Sequence, residues 1–160
     1  MKNIKKYITV VGCALAVGFA SVSCKVEDPF LDRVASPLLV DIVGAPFGAP
    51  IAADPTVSYP LSTDKIAITA RLLELDKTNI LDHTKGIDSI PVPNVPIKIT
   101  MRTGAAIGEV TSDANGMVKI EKTWAELGVA APKSGSNVKI SWSGTYKGIA
   151  FTRLSQVQVL

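Results

Sequence analysis

The chain has 160 residues with a formal net charge of +3 and a hydrophobic share of 47%. Residues 1–23 contain Lys2, Lys5 and Lys6 and no acid. Without them fourteen basic residues face fourteen acidic ones, so the remainder is neutral and lacks the basic footprint of a nucleic-acid binder.

The N-terminus reads as a secretory signal. A basic start is followed by the uncharged apolar run from Ile8 to Phe19, then by the small residues Ala20, Ser21, Val22 and Ser23, and then by Cys24. A cysteine directly after the small residues resembles the lipobox of bacterial lipoproteins, although Ser21 stands where Leu is usual. The resemblance implies cleavage before Cys24 and acylation of its thiol and new amino group, hence a membrane partner reached through lipid on Cys24. Cys13, preceded by Val10, Val11 and Gly12, is the rival. Cleavage there leaves only Tyr7 to Val11 as the apolar region, shorter than the ~7–15 residues a signal needs. An ordinary secreted protein cut near Ser23 is the plainer alternative. A retained spanning helix needs about 20 apolar residues, and the run is shorter. Neither cysteine is left for a disulfide or a metal, so the fold depends on a packed core.

Lys25-Val26-Glu27-Asp28 follows the cysteine. It resembles the export signal of Bacteroidota lipoproteins, which implies an outer-membrane protein facing the cell exterior. Residues 24–37 otherwise read as a tether, with Pro29, Asp32 and Pro37. This divides the chain into signal 1–23, tether 24–37 and a single domain 38–160.

Seven strands are predicted in the domain. They are Leu38–Val43, Ile66–Leu75, Ile97–Arg102, Glu109–Thr111, Met117–Ile120, Val138–Trp142 and Ile149–Val159. Period-2 alternation carries the assignments. Ile66, Ile68, Ala70 and Leu72 share one face, and Ile97, Ile99 and Met101 share another. Asp113-Ala114-Asn115-Gly116 is predicted as a tight hairpin turn with Gly116 at positive φ. Gly144 to Gly148 is predicted as a second hairpin connection, and Trp124 to Ala131 as one helical turn or a wide loop. The expected fold is all-β, an immunoglobulin-like antiparallel sandwich. Val95-Pro96-Ile97-Lys98-Ile99 followed by Thr111-Ser112-Asp113-Ala114-Asn115-Gly116 resembles bacterial immunoglobulin-like domains of the invasin and intimin type. Transthyretin-like regulatory domains share a similar turn. Asp76 to Ile90 is longer than the usual connection in such domains, and long loops are often functional.

Catalytic chemistry finds little support. His83 is the only histidine, no G-x-S-x-G elbow presents a serine, and a solvated loop residue explains His83. Asp76, Asn79, Asp82, His83 and Asp88 match no calcium spacing, so no metal and no cofactor is expected. Trp124, Tyr146 and Tyr59 fall in loops or turns. They are the candidate ligand-binding residues, because aromatic faces stack on sugars; packing over the sandwich ends is their structural alternative. Asp88-Ser89-Ile90 resembles the Bacteroidota O-glycosylation motif, which marks Ser89. The leading expectation is a non-enzymatic, lipid-anchored surface module that binds a protein or a glycan, in adhesion or scaffolding. The alternatives are a surface hydrolase using the Asp76–Ile90 loop and a periplasmic structural lipoprotein.

Overall fold

The structure, a computed structural model, describes residues 36–46 and 53–160. All of them belong to the unit Val34–Leu160. The signal, Cys13, Cys24 and most of the tether lie outside the described residues.

The domain is an all-β sandwich. The described residues form nine strands: β1 (Leu39–Ile42), β2 (Thr56–Tyr59), β3 (Lys65–Asp76), β4 (Asp88–Pro91), β5 (Pro96–Met101), β6 (Ala106–Thr111), β7 (Met117–Thr123), β8 (Asn137–Tyr146) and β9 (Ile149–Val159). The larger sheet has the order β2-β9-β8-β5-β6. In the smaller one, β3 pairs with β1, β4 and β7. Every pairing is antiparallel except β2 with β9, which is parallel. Two strands thus add to the seven expected. β2 is four residues between Pro55 and Pro60, too short to show alternation. β4 buries none of its side chains, so it carries no hydrophobic period at all.

The inward residues meet in one core. Ile66, Ile68, Ala70, Leu72 and Val118 of the smaller sheet pack with Ile97, Ile99, Ile140, Trp142 and Val159 of the larger one. Trp142 is fully enclosed, and its Nε1 donates to the buried Ser155 hydroxyl on β9 at 2.8 Å. A buried polar group needs such a partner.

β3 is shared by three strands. β1 lies along one edge at residues 70–73. β7 occupies the other edge at residues 65–71, and β4 continues that edge from residue 73. Leu72 sits at the junction. Its N–H donates to Gly116 O at 2.8 Å, and its carbonyl accepts from Val92 N at 3.0 Å.

The segment Asp113–Gly116 is therefore no hairpin. It joins β6 in the larger sheet to β7 in the smaller one, as an arch across the sandwich. Gly116 has φ +71°, as its turn chemistry requires. Asp113 Oδ1 accepts from the N–H groups of Asn115 and Met117, both at 2.8 Å. A second arch, Val92 to Val95, carries the chain from β4 to β5. Buried Ser112 fastens the two arches. Its hydroxyl donates to Val92 O and accepts from Val95 N, and its backbone bonds Val95 O and Asn94 N.

The glycine signal at 144 also has another cause. β8 runs on to Tyr146, and the two-residue turn is Lys147-Gly148, with φ +49° and +78°. Positive φ at both central positions marks the primed turn that suits strand twist. Gly144 lies inside the strand. A Cβ there would stand 2.9 Å from both Ile97 Cδ1 and Phe151 Cζ, so its role is close packing.

Trp124 begins a single turn after β7. Thr123 Oγ1 accepts from Glu126 N while the Glu126 carboxylate accepts from Thr123 N, a reciprocal cap. The turn ends at Gly128, φ +79°. Trp124 and Leu127 are both driven into the core, and Trp124 Nε1 has no partner among the described residues.

A Cβ at Gly116 would lie 2.5 Å from Leu72 O and 3.1 Å from Val92 N, whereas at Gly148 nothing stands within 4 Å. Backbone strain at either costs about 1–3 kcal/mol. Gly116→Ala should exceed that range in urea unfolding and Gly148→Ala should stay within it; equal losses would dissolve the junction. Trp142→Phe should cost about 1–3 kcal/mol more than Trp124→Phe, since only the former strands a buried hydroxyl.

Candidate binding surface

The sandwich has two distinct ends. β3 runs to one of them, and there β4 starts, β8 ends and β9 begins. Both arches lie on this side. The other end holds the β2–β3 turn, the β5–β6 turn and the β7–β8 connection, residues 124–136.

At the first end β3 and β4 form a projecting hairpin, closed by residues 77–87. Two Asp-x-Thr units shape this loop. Asp76 Oδ1 accepts from Thr78 N (2.8 Å) and Oγ1 (2.6 Å). Asp82 Oδ1 accepts from Thr84 N (3.0 Å) and Oγ1 (2.6 Å). Short polar side chains that bond their own backbone favour turns over further strand. The bonds from Thr78 and from Thr84 hold the two aspartates below their ordinary pKa. Between the two units the chain curls around a shallow hollow lined by Thr78 to His83. The crown of the curl is apolar, with Leu81 98% exposed and Ile80 52% exposed.

The neighbouring β8–β9 hairpin is linked to the first by charge. Glu74 follows Leu72 on the core-facing side of β3. Its Oε2 accepts from the Tyr146 hydroxyl at 2.8 Å, and its Oε1 accepts from Lys147 Nζ. Lys147 Nζ also stands 5.2 Å from the Tyr146 ring centre. The Lys147 bond, then the Tyr146 bond, lowers the Glu74 pKa; the same carboxylate raises the Tyr146 and Lys147 values. Ile90 and Ile149, register partners of Glu74 and Tyr146, stay exposed beside the cluster.

The sequence candidates do not converge. Trp124 lies at the opposite end and is 4% exposed, so it offers no face for stacking; its apolar ring is worth more in the core. Tyr59, also at that end, donates its hydroxyl to Ala67 O, a β3 carbonyl beyond the reach of the four-residue β1. Burial raises its pKa. Tyr146 is committed to Glu74. Ser89 is exposed, and it lies on edge strand β4 instead of in a loop. His83 is exposed on the curl. Among the described residues, no three His, Cys, Asp or Glu side chains gather closely enough to hold a metal ion. Glu74, Ile80 and Leu81 were not among the sequence candidates. An Ile-Leu pair inside a polar stretch was the available signal.

No family model, curated protein or solved structure matches this chain.

The lowered carboxylates set a pH dependence. A depressed folded pKa contributes stability above the unfolded value and loses it as pH falls through the folded value. Glu74 should therefore weaken the hairpin end below about pH 4.5, and Asp76 and Asp82 below about pH 3.8, the ordinary glutamate and aspartate values. Glu74→Gln should remove part of that acid-side decline in a series of melts from pH 7 to pH 3. An unchanged slope would mean the carboxylate is solvated in both states.

Proposed function

We propose that this protein is a non-enzymatic, lipid-anchored module of the outer membrane. It faces the cell exterior and works as a binding or scaffolding domain for a protein or glycan. The observation that carries the reading is the polarity of the domain. β1 runs antiparallel to β3 from Leu39, opposite Leu73, so the described chain starts at the hairpin end. A lipid on Cys24 would hold that end toward the bilayer. The opposite end would face outward, with Leu61 exposed in the β2–β3 turn and the long β7–β8 connection beside it. Loops on a rigid sandwich are suited to recognition.

Kinship with immunoglobulin-like domains is supported by the strand order. β1-β3-β7 opposite β9-β8-β5 agrees with the immunoglobulin order, whereas β2 and β6 on the larger sheet and β4 on the smaller one lie outside it. The non-enzymatic reading is supported by where the polar groups are spent. Asp76 and Asp82 fix turns, Glu74 joins two hairpins, and Ser112 and Ser155 are bonded in the interior. A general acid at neutral pH needs a raised carboxyl pKa, and these three carboxylates are lowered.

Membrane fractionation tests the anchor. Cys24→Ala should release the protein and Cys13→Ala should not; the reverse result selects the other cysteine. External protease should remove the wild-type protein from intact cells, whereas protection would place it in the periplasm. A glycan array and a pull-down should return a ligand whose binding falls with Leu61→Ser at the far end. Loss of a measurable turnover with His83→Ala would replace this reading with a hydrolase.

A further inference from the structure

We propose that the crown of the β3–β4 hairpin, Ile80 and Leu81, is a second membrane contact that dips into the lipid interface. The inference rests on the anchoring reading, and it assigns the hairpin an occupant.

Three observations favour a bilayer. The first is placement. The described chain starts at the same end of the sandwich from which the hairpin projects. Eleven residues separate Cys24 from Ser36. At ~3.3–3.6 Å each they span no more than about 40 Å. A lipid on Cys24 thus confines the domain to the membrane surface, where even a weak second contact is favoured by its high effective concentration. Past Leu73, β3 extends three more residues before the loop begins, carrying the crown outward from the level of Leu39.

The second is the chemistry of the crown. Leu81 is almost wholly exposed although it interrupts a polar stretch. A membrane interface accepts such side chains, while water does not reward them. The third is charge. Lys77 and Lys85 flank the crown. Asp82, the acid between them, has Oδ1 held by Thr84 and Oδ2 3.7 Å from Lys85 Nζ, so that pair presents little net charge to anionic lipid. Lys77 is then the cation offered to lipid phosphates, and its long stem can lie along the interface.

The test uses the full chain, produced with its lipid and reconstituted into phosphatidylethanolamine–phosphatidylglycerol vesicles. With Cys13 removed and Cys24 acylated, Leu81→Cys supplies a single free thiol for an environment-sensitive fluorophore. Lys133→Cys, in the β7–β8 connection, is the control at the other end. The label at 81 should shift to the blue and lose most of its emission to a bilayer-borne quencher, while the label at 133 keeps its aqueous spectrum. Vesicle flotation is read on the same samples. Flotation with an aqueous spectrum at both positions overturns the membrane contact and leaves the anchor intact. Failure to float overturns the anchor and the contact together. A blue shift at 81 without vesicles, appearing only when a protein extract is added, would assign the crown to a protein partner and also overturn the proposal.

Discussion

One residue organises the sandwich. Leu72 gives its N–H to a chain segment that has just crossed between the sheets, at Gly116, and its carbonyl to one about to cross, at Val92. β7 cannot extend along β3 past Gly116 without displacing β4, and β4 cannot extend past Val92 without displacing β7. The edge of β3 is full at that point. Each crossing must therefore occur there, and the buried Ser112 hydroxyl bonds the two crossings to each other. A buried polar network of this kind is stabilising only when every member is paired, which gives the corner one acceptable arrangement. Gly116 belongs to the same constraint, because a Cβ there would lie 2.5 Å from the Leu72 carbonyl oxygen.

The legible part of the fold was the part written in alternation. Ile66 to Leu72, Ile97 to Met101 and Val138 to Trp142 bury one face each, so period 2 located three central strands. The all-β class followed from them and from the turn residues between them. β2 and β4 escaped because pairing, not burial, makes them strands. β4 exposes all four side chains and is a strand only because β3 continues beside it. The parallel β2–β9 pair leaves no local trace, since it depends on where two distant segments meet.

The turn chemistry was read correctly as geometry and wrongly as topology. Gly116 does take positive φ, yet the same local sequence serves an arch as well as a hairpin. Which of the two forms depends on the edge of β3, far away in the chain. Gly144 shows the converse. A glycine that suggested a turn instead makes room for Ile97 and the Phe151 ring. The aromatic candidates are drawn apart by packing and hydrogen bonding. Trp124 follows a polar strand end and looks solvent-facing, but the Thr123–Glu126 cap folds its turn inward and closes the end of the core. The tyrosines reach across the sandwich, Tyr59 to Ala67 and Tyr146 to Glu74, so each ties the larger sheet to one end of β3. An exposed pair, Ile80 and Leu81, was hidden among polar neighbours where no periodicity could mark it.

The direction of β1 has a mechanical consequence. The chain comes in at Leu39 and runs along β3 from the hairpin end toward the other. A pull on Ser36 along the long axis of the sandwich is directed along the strand. Hydrogen bonds between antiparallel strands lie across that direction. The bonds joining Leu39–Ile42 to β3 are then loaded in shear, all at once, instead of being peeled in succession. The Asp41–Arg71 ion pair, 3.0 Å across the same two strands, resists the same slide. A sandwich held by its first strand in this orientation transmits tension through β3 into both sheets before any single bond carries the whole load.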